Sequence, residues 1–215
     1  MKIALLGANG RIGQRIAQEA LARGHEVKAL VLHPEGFPMT HPHLTVAPVD
    51  IFDAASIAEA IPDADVVVNA TGANGIDPHT FFVTSTHALI EGVKRVGENK
   101  RLIVVGGAGS LEVAPNVQLV DTPGFPDVAR PTSRAQREAL DILRASAIAW
   151  TFFSPSATIE PGRRTGKYRL GTDTLLTNDQ GESYISMEDY AVALLDEIEH
   201  PQFIRQRFTA VSLEK

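Results

Sequence analysis

The segment Gly7-Ala8-Asn9-Gly10-Arg11-Ile12-Gly13 stands directly after an apolar run, Lys2–Leu6, and directly before a helical pattern over Arg11–Arg23. A near-continuous apolar run of that kind reads as a strand covered on both faces. In the helical pattern Ile12, Ile16, Ala20 and Leu21 share one face, and Gly24 stands where a C-terminal cap belongs. Strand, glycine turn and helix in this order open a βαβ unit that holds a diphosphate. Gly7 permits a tight turn, Gly10 lets the backbone approach the phosphates, and Gly13 lets the helix pack closely on the sheet. Free amides at the helix N-terminus then face the anion. A bare glycine triplet also describes a merely tight turn; the flanking strand and helix give this one its weight.

The same alternation continues. Glu26–Leu32 reads as a second strand, Leu44–Val46 as a short third, and Asp65–Asn69, rich in β-branched residues, as a fourth. Arg101–Val105 and Ala149–Phe153 supply a fifth and a sixth. Helices are expected over Ala54–Ala60 behind an Asp53 cap, and over Thr80–Val96, Thr132–Ala145 and Glu188–Glu199. Gly106–Pro131, broken by prolines and glycines, reads as a long functional or disordered loop. Lys167–Leu170 and Arg207–Val211 are further strand candidates. Alternating strands and helices imply right-handed crossovers, hence an α/β fold with a doubly wound parallel sheet of the Rossmann kind. The 215 residues suit one domain, 1–215, with substrate-side loops around 106–131 and 154–185.

Composition removes whole classes of function. The chain has no cysteine, which excludes disulfides, thiolate metal sites and cysteine nucleophiles. Lysine and arginine total 20 against 26 acids, a net charge of −6 with no basic run, so nucleic acid is not an expected partner. No apolar stretch is long enough to span a membrane, and the first apolar run ends in a glycine turn instead of a signal-peptide cleavage site. A cytoplasmic protein with a small-molecule partner is expected, alone or self-associated. His33, His41 and His43 cluster locally, but no carboxylate stands at a metal-ligand spacing from them, so no metal is expected.

Ligands of doubly wound sheets lie at the carboxyl ends of the strands. There the chain places Asp50-Ile51, suited to border an adenine, then Asn69-Ala70-Thr71-Gly72, Gly106-Gly107-Ala108-Gly109-Ser110 and Ser154-Pro155. Each alone reads more often as an ordinary strand-to-loop turn. At consecutive strand ends, small residues keep a crevice open for a flat, extended dinucleotide.

Gly7 to Gly13 recurs widely, but the stretches Arg101–Leu111, Asp121–Pro126, Trp150–Pro155, Glu160–Leu170 and Ile185–Ala191 are more particular. With them the chain resembles, over nearly its whole length, the atypical short-chain dehydrogenases/reductases. The nearest group is that of the NADH-flavin reductases, akin to biliverdin IXβ reductase and NmrA-like proteins. The resemblance implies an NAD(P)-binding oxidoreductase. Similar proteins often carry arginine where Leu32 stands, so their 2′-phosphate clamp is missing here. Arg11 serves the 2′-phosphate in similar NADP-binding members, with His33 to assist, and on that ground NADPH is favoured over NADH; a solvated Arg11 is the bland alternative.

Hydroxyl oxidation in the wider superfamily resembles acid–base chemistry by a Tyr-x-x-x-Lys pair and a preceding serine. Ser110 matches the serine and is the catalytic candidate, but Thr132 and Gln136 occupy the places of the pair. Neither titrates usefully. Hydride transfer to a flat conjugated acceptor (FMN, FAD, a quinone or a tetrapyrrole) needs little proton help, and positioning alone makes it effective. Phe81, Phe82, Phe125 and Phe153 are candidate stacking surfaces, with Phe153 reading better as a strand-end core residue; Arg163, Arg164 and Lys167 are candidate partners of a flavin phosphate, with a solvated turn the safer reading. The rival reading is a non-catalytic redox sensor of NmrA-like type that binds dinucleotide without consuming it.

Overall fold

Lys2–Leu6 (β1) forms a strand because its apolar side chains all find a core: Ile3 and Leu5 enter one, Ala4 and Leu6 the other. A computed structural model describes residues 1–97 and 99–214. After β1 come α1 (Arg11–Ala22), β2 (Glu26–Val31), β3 (Leu44–Pro48), α2 (Ala54–Ala60), β4 (Val66–Asn69), α3 (Pro78–Val96) and β5 (Arg101–Val105). A hairpin follows, β6 (Glu112–Ala114) and β7 (Val117–Gln118), then α4 (Arg130–Ala145), β8 (Trp150–Ser154) and β9 (Thr158–Glu160). The chain closes with β10 (Tyr168–Gly171), β11 (Tyr184–Ser186), α5 (Met187–Glu199) and β12 (Gln206–Ser212).

Eight strands share one sheet in the order β10-β12-β8-β5-β4-β1-β2-β3, all pairs parallel except β10 with β12. This is the doubly wound, Rossmann-type sheet. The order reverses at β1, which lies between β2 and β4 and so marks the topological switch point. Helices α1 and α5 cover one face through Ile16, Ala20, Tyr190 and Leu194. Helices α2, α3 and α4 cover the other through Ile57, Leu89, Val93 and Leu140. No helix among the described residues is long and apolar enough to cross a membrane.

The expected elements all form, with α3 opening two residues early because Asp77 caps it, accepting from the Thr80 amide at 2.9 Å. Segment 106–131 departs from expectation. It carries 3-10 turns at Ala108–Ser110 and Leu119–Asp121, the β6–β7 hairpin, and the start of α4 at Arg130. Long-range contacts hold it: Arg130 donates to the Val120 and Phe125 carbonyls, and Arg137 reaches Gln118 at 3.0 Å and Asp121 at 2.7 Å.

A second irregular segment, residues 161–167, is held by three carboxylates on the helices. Gly162 N–H donates to Glu188, while the amides of Thr165 and Gly166 and the Thr165 hydroxyl all donate to Asp189, which is wholly buried. Arg164 makes two bonds, 2.7 and 2.8 Å, to the buried Glu19 of α1. The bonds from Arg164 hold the Glu19 carboxyl below its usual value against the opposing effect of burial, with Arg23 adding to the shift. A depressed folded-state value means this stabilisation is complete above the unfolded pKa and fades as pH falls through the folded one. Arg164→Gln is therefore expected to lower the urea midpoint near neutral pH, and the gap to the parent protein should close as the pH drops below about 4. A gap that does not change with pH would show that Glu19 is not its source.

Candidate active site

The turn after β1 is fixed by contact. Gly7 adopts φ +76°, and a Cβ there would lie 2.7 Å from the Ala70 carbonyl and the Thr71 nitrogen, so the ends of β1 and β4 all but touch. The Gly7 carbonyl accepts from Gly10 N–H at 3.0 Å, and a Cβ on Gly13 would stand 2.1 Å from that same oxygen. Gly7 and Gly13 are thus demanded by the fold. At Gly10 the demand is slight, since a Cβ would come no closer than 3.2 Å and φ is −72°.

Three other helices open on a side-chain cap: Asp53 accepts from Ala55, Asp77 from Thr80 and Ser186 from Asp189. Helices α1 and α4 have neither a side-chain cap nor an acid in the first turn, and each opens on an arginine; Arg130 of α4 is spent on the Val120 and Phe125 carbonyls, whereas Arg11 of α1 is exposed, at the switch point of the sheet. Uncapped amides and a cation at a helix N-terminus are both unfavourable for a helix alone. Both suit a bound anion.

Beside this turn lies a cleft of about 300 Å³ across the ends of β1 and β2 and the segments after β3 and β4. Of the residues marked in the sequence, Gly7, Asn9, Asp50, Ile51, Thr71 and Phe81 line it. Asn69 shapes the rim from below: its buried Oδ1 accepts from the Thr71 amide and hydroxyl at 3.2 and 2.7 Å. Gly72 faces open space. The cleft also takes in Leu32, Phe52, Asn74 and Ile76, of which Asn74 is left-handed at φ 44°. The sequence signal for Phe52 and Ile76 is weak: each is an apolar residue in a turn, outside any strand or helix period.

Several marked residues fall elsewhere. Arg11 and His33 are exposed but do not line the cleft. Gly106, Gly107 and Gly109 do not hold a crevice open. A Cβ on them would meet Phe152 at 2.1 Å, Gln136 Oε1 at 2.1 Å and Ser133 at 2.6 Å, so the protein's own side chains fill that space. Ser110 is 3% exposed and its hydroxyl accepts from Arg207 at 2.9 Å, which turns it toward β12 and away from any substrate. Phe153 is wholly buried, stacked between Tyr190 at 3.9 Å and Phe208 at 4.0 Å, and is a core residue. Ser154 and Pro155 are buried as well and offer no side chain to a cofactor.

Among the aromatic candidates, Phe81 is 5% exposed and stands edge-on to Phe52 at 5.5 Å, on the β3 side of the crevice. Phe125 is half-buried under the Arg130 guanidinium at 5.6 Å. Of the candidate phosphate partners, Arg164 is committed to Glu19 and Lys167 to Glu214, each at 2.7 Å, while Arg163 is exposed. Gln136 and Thr132 are half-exposed on α4. The tyrosines are occupied or buried: Tyr190 donates to the Phe153 carbonyl at 2.7 Å, Tyr168 to Asp196, and Tyr184 is 7% exposed. Burial raises the phenol pKa of both Tyr190 and Tyr168, and the bond to Asp196 adds to the shift at Tyr168.

Three solved structures share the fold over essentially whole chains. One from Burkholderia pseudomallei, provisionally named an exported protein, is 47% identical, covers 98% of this chain and 99% of its own, and has a TM-score of 0.88. A provisionally named epimerase from Bacteroides thetaiotaomicron is 41% identical over 100% and 98%, with a TM-score of 0.91. A provisionally named NADH-flavin reductase from Streptococcus pneumoniae is 34% identical over 99% of each chain, with a TM-score of 0.88. The family described as NAD(P)H-binding matches residues 7–201, and the chain belongs to it.

Proposed function

We propose that this protein is an NAD(P)H-dependent reductase that passes hydride to a flat conjugated acceptor such as a free flavin, a quinone or a tetrapyrrole. The observation that carries the reading is the N-terminus of α1, bare of any cap or acid and headed by Arg11, at the switch point of the sheet. In this reading the backbone from Gly7 to Gly13, with Asn9 and Ile12, cradles the diphosphate, and the Arg11 guanidinium neutralises it. Asp50 and Ile51 border the adenosine, and the turn Asn69–Gly72 carries the cofactor toward β5.

The reduced nicotinamide supplies the hydride. What the chain supplies is position, because the places of a Tyr-x-x-x-Lys pair hold Thr132 and Gln136, and neither can trade a proton near neutral pH. An epimerase or alcohol dehydrogenase of the usual kind needs that pair. A flavin or quinone ring accepts hydride at an electrophilic atom and takes its proton from water, so proximity suffices. The flavin reductase name of the Streptococcus structure agrees with this choice.

Loss of the reduced-nicotinamide absorbance is expected to require added flavin or quinone. Binding of dinucleotide with no turnover across those acceptors would replace the reductase with a sensor that reads the redox state. A paired substitution tests the site itself. Gly10→Ser supplies the missing cap and should leave the urea midpoint unchanged or raised, yet abolish dinucleotide binding, because its hydroxyl takes the amides. Gly13→Ala should instead cost about 1–3 kcal/mol of stability through overpacking. Full binding by a folded Gly10→Ser protein would remove the diphosphate from this turn.

A further inference from the structure

The cleft beside the glycine turn has an electrostatic character that selects between two cofactors. Resting on the nucleotide reading above, we infer that the site takes the dinucleotide whose adenosine ribose bears free hydroxyls, NADH, and discriminates against the 2′-phosphorylated form, with Leu32 and Asp50 as the selecting residues.

The side chain just past the second strand is the one placed to meet the ribose 2′ position. Here β2 ends at Val31, and the next residue, Leu32, lies 64% exposed on the cleft wall. Among the described residues no lysine, arginine or histidine lines that cleft, and its one charged residue is Asp50. Asp50 is firmly placed. Its amide donates to Ser56 Oγ at 3.0 Å and its Oδ1 accepts from Phe52 N–H at 2.9 Å, which leaves Oδ2 to accept from a hydroxyl. A phosphomonoester brought here loses water against Leu32 and meets a like charge in a cleft walled by Phe52 and Ile76. A ribose hydroxyl meets an acceptor instead. Arg11 and His33 stand outside the lining, and Lys28, on the far side of Leu32 and Asp50, is engaged by the Ala60 carbonyl at 2.8 Å.

Calorimetric titration with NAD+ and NADP+ separately, at low salt, decides the matter without an acceptor. The expected result is NAD+ bound at least about tenfold more tightly, a difference of about 1.4 kcal/mol. Leu32→Arg should then tighten NADP+ at least about tenfold, in a salt-sensitive manner, with little change for NAD+. Asp50→Asn keeps the acceptor for Phe52 N–H and should narrow the ratio from the other side. Tighter NADP+ binding by the parent protein, lost selectively in Arg11→Ala, would overturn the inference and leave the nucleotide site standing. Failure to bind either dinucleotide would instead overturn the cofactor reading on which it rests.

Discussion

The carbonyl of Gly7 is the point from which the site is built. It accepts from Gly10, lies where a side chain of residue 13 would have to be, and belongs to a residue pressed against the end of β4. That three-way contact sets the distance between β1, β4 and the first turn of α1, and with it the direction of the helix amides. Nothing else in the crevice is so constrained. The cleft walls at Leu32, Phe52 and Ile76 are side chains on turns, and their place follows from where the strands end.

Glycine occurs in this crevice for two opposite physical reasons, and a sequence does not distinguish them. At Gly10 and Gly72 the missing side chain leaves room, whereas at Gly106, Gly107 and Gly109 it admits Phe152, Gln136 and Ser133. The alternation of strands and helices, the glycine turn and the location of Asp50 and Thr71 were legible because each follows from local periodicity or from a strand end. Ser110 and Ser154 are less legible because their surroundings are set by partners far along the chain, Arg207 and the packing around β12, whereas the core place of Phe153 follows from its strand-end position. The order in segment 106–131 was hidden for the same reason, since Arg130 and Arg137 bind carbonyls and side chains across many residues.

Charge is deployed unevenly around α1. Its outer turns are enclosed in ion pairs, Arg15 with Glu188 and Glu19 with Arg23 and Arg164, while Arg23 also meets Asp196 and Glu199. These tie the segment 161–167 and α5 to the helix body. The first turn, by contrast, takes no acid from anywhere in the described chain that would cap it. A helix so well neutralised along its length, and bare at one end, has its remaining electrostatic demand concentrated at that end.

The distribution of open and filled positions matches the topology. Strand order reverses at β1, and the chain leaves β1 through α1 on one face and β4 through α3 on the other, so the connections part there and expose a gap. Gly10 and Gly72 flank this gap, and the cleft extends from it toward β3. Two strands away, beyond β5, successive connections run on the same side and pack on one another, and the glycines there are consumed by close contact. A ligand entering from the gap therefore has room along β1, β2 and β4 and meets a closed wall at the β5 turn.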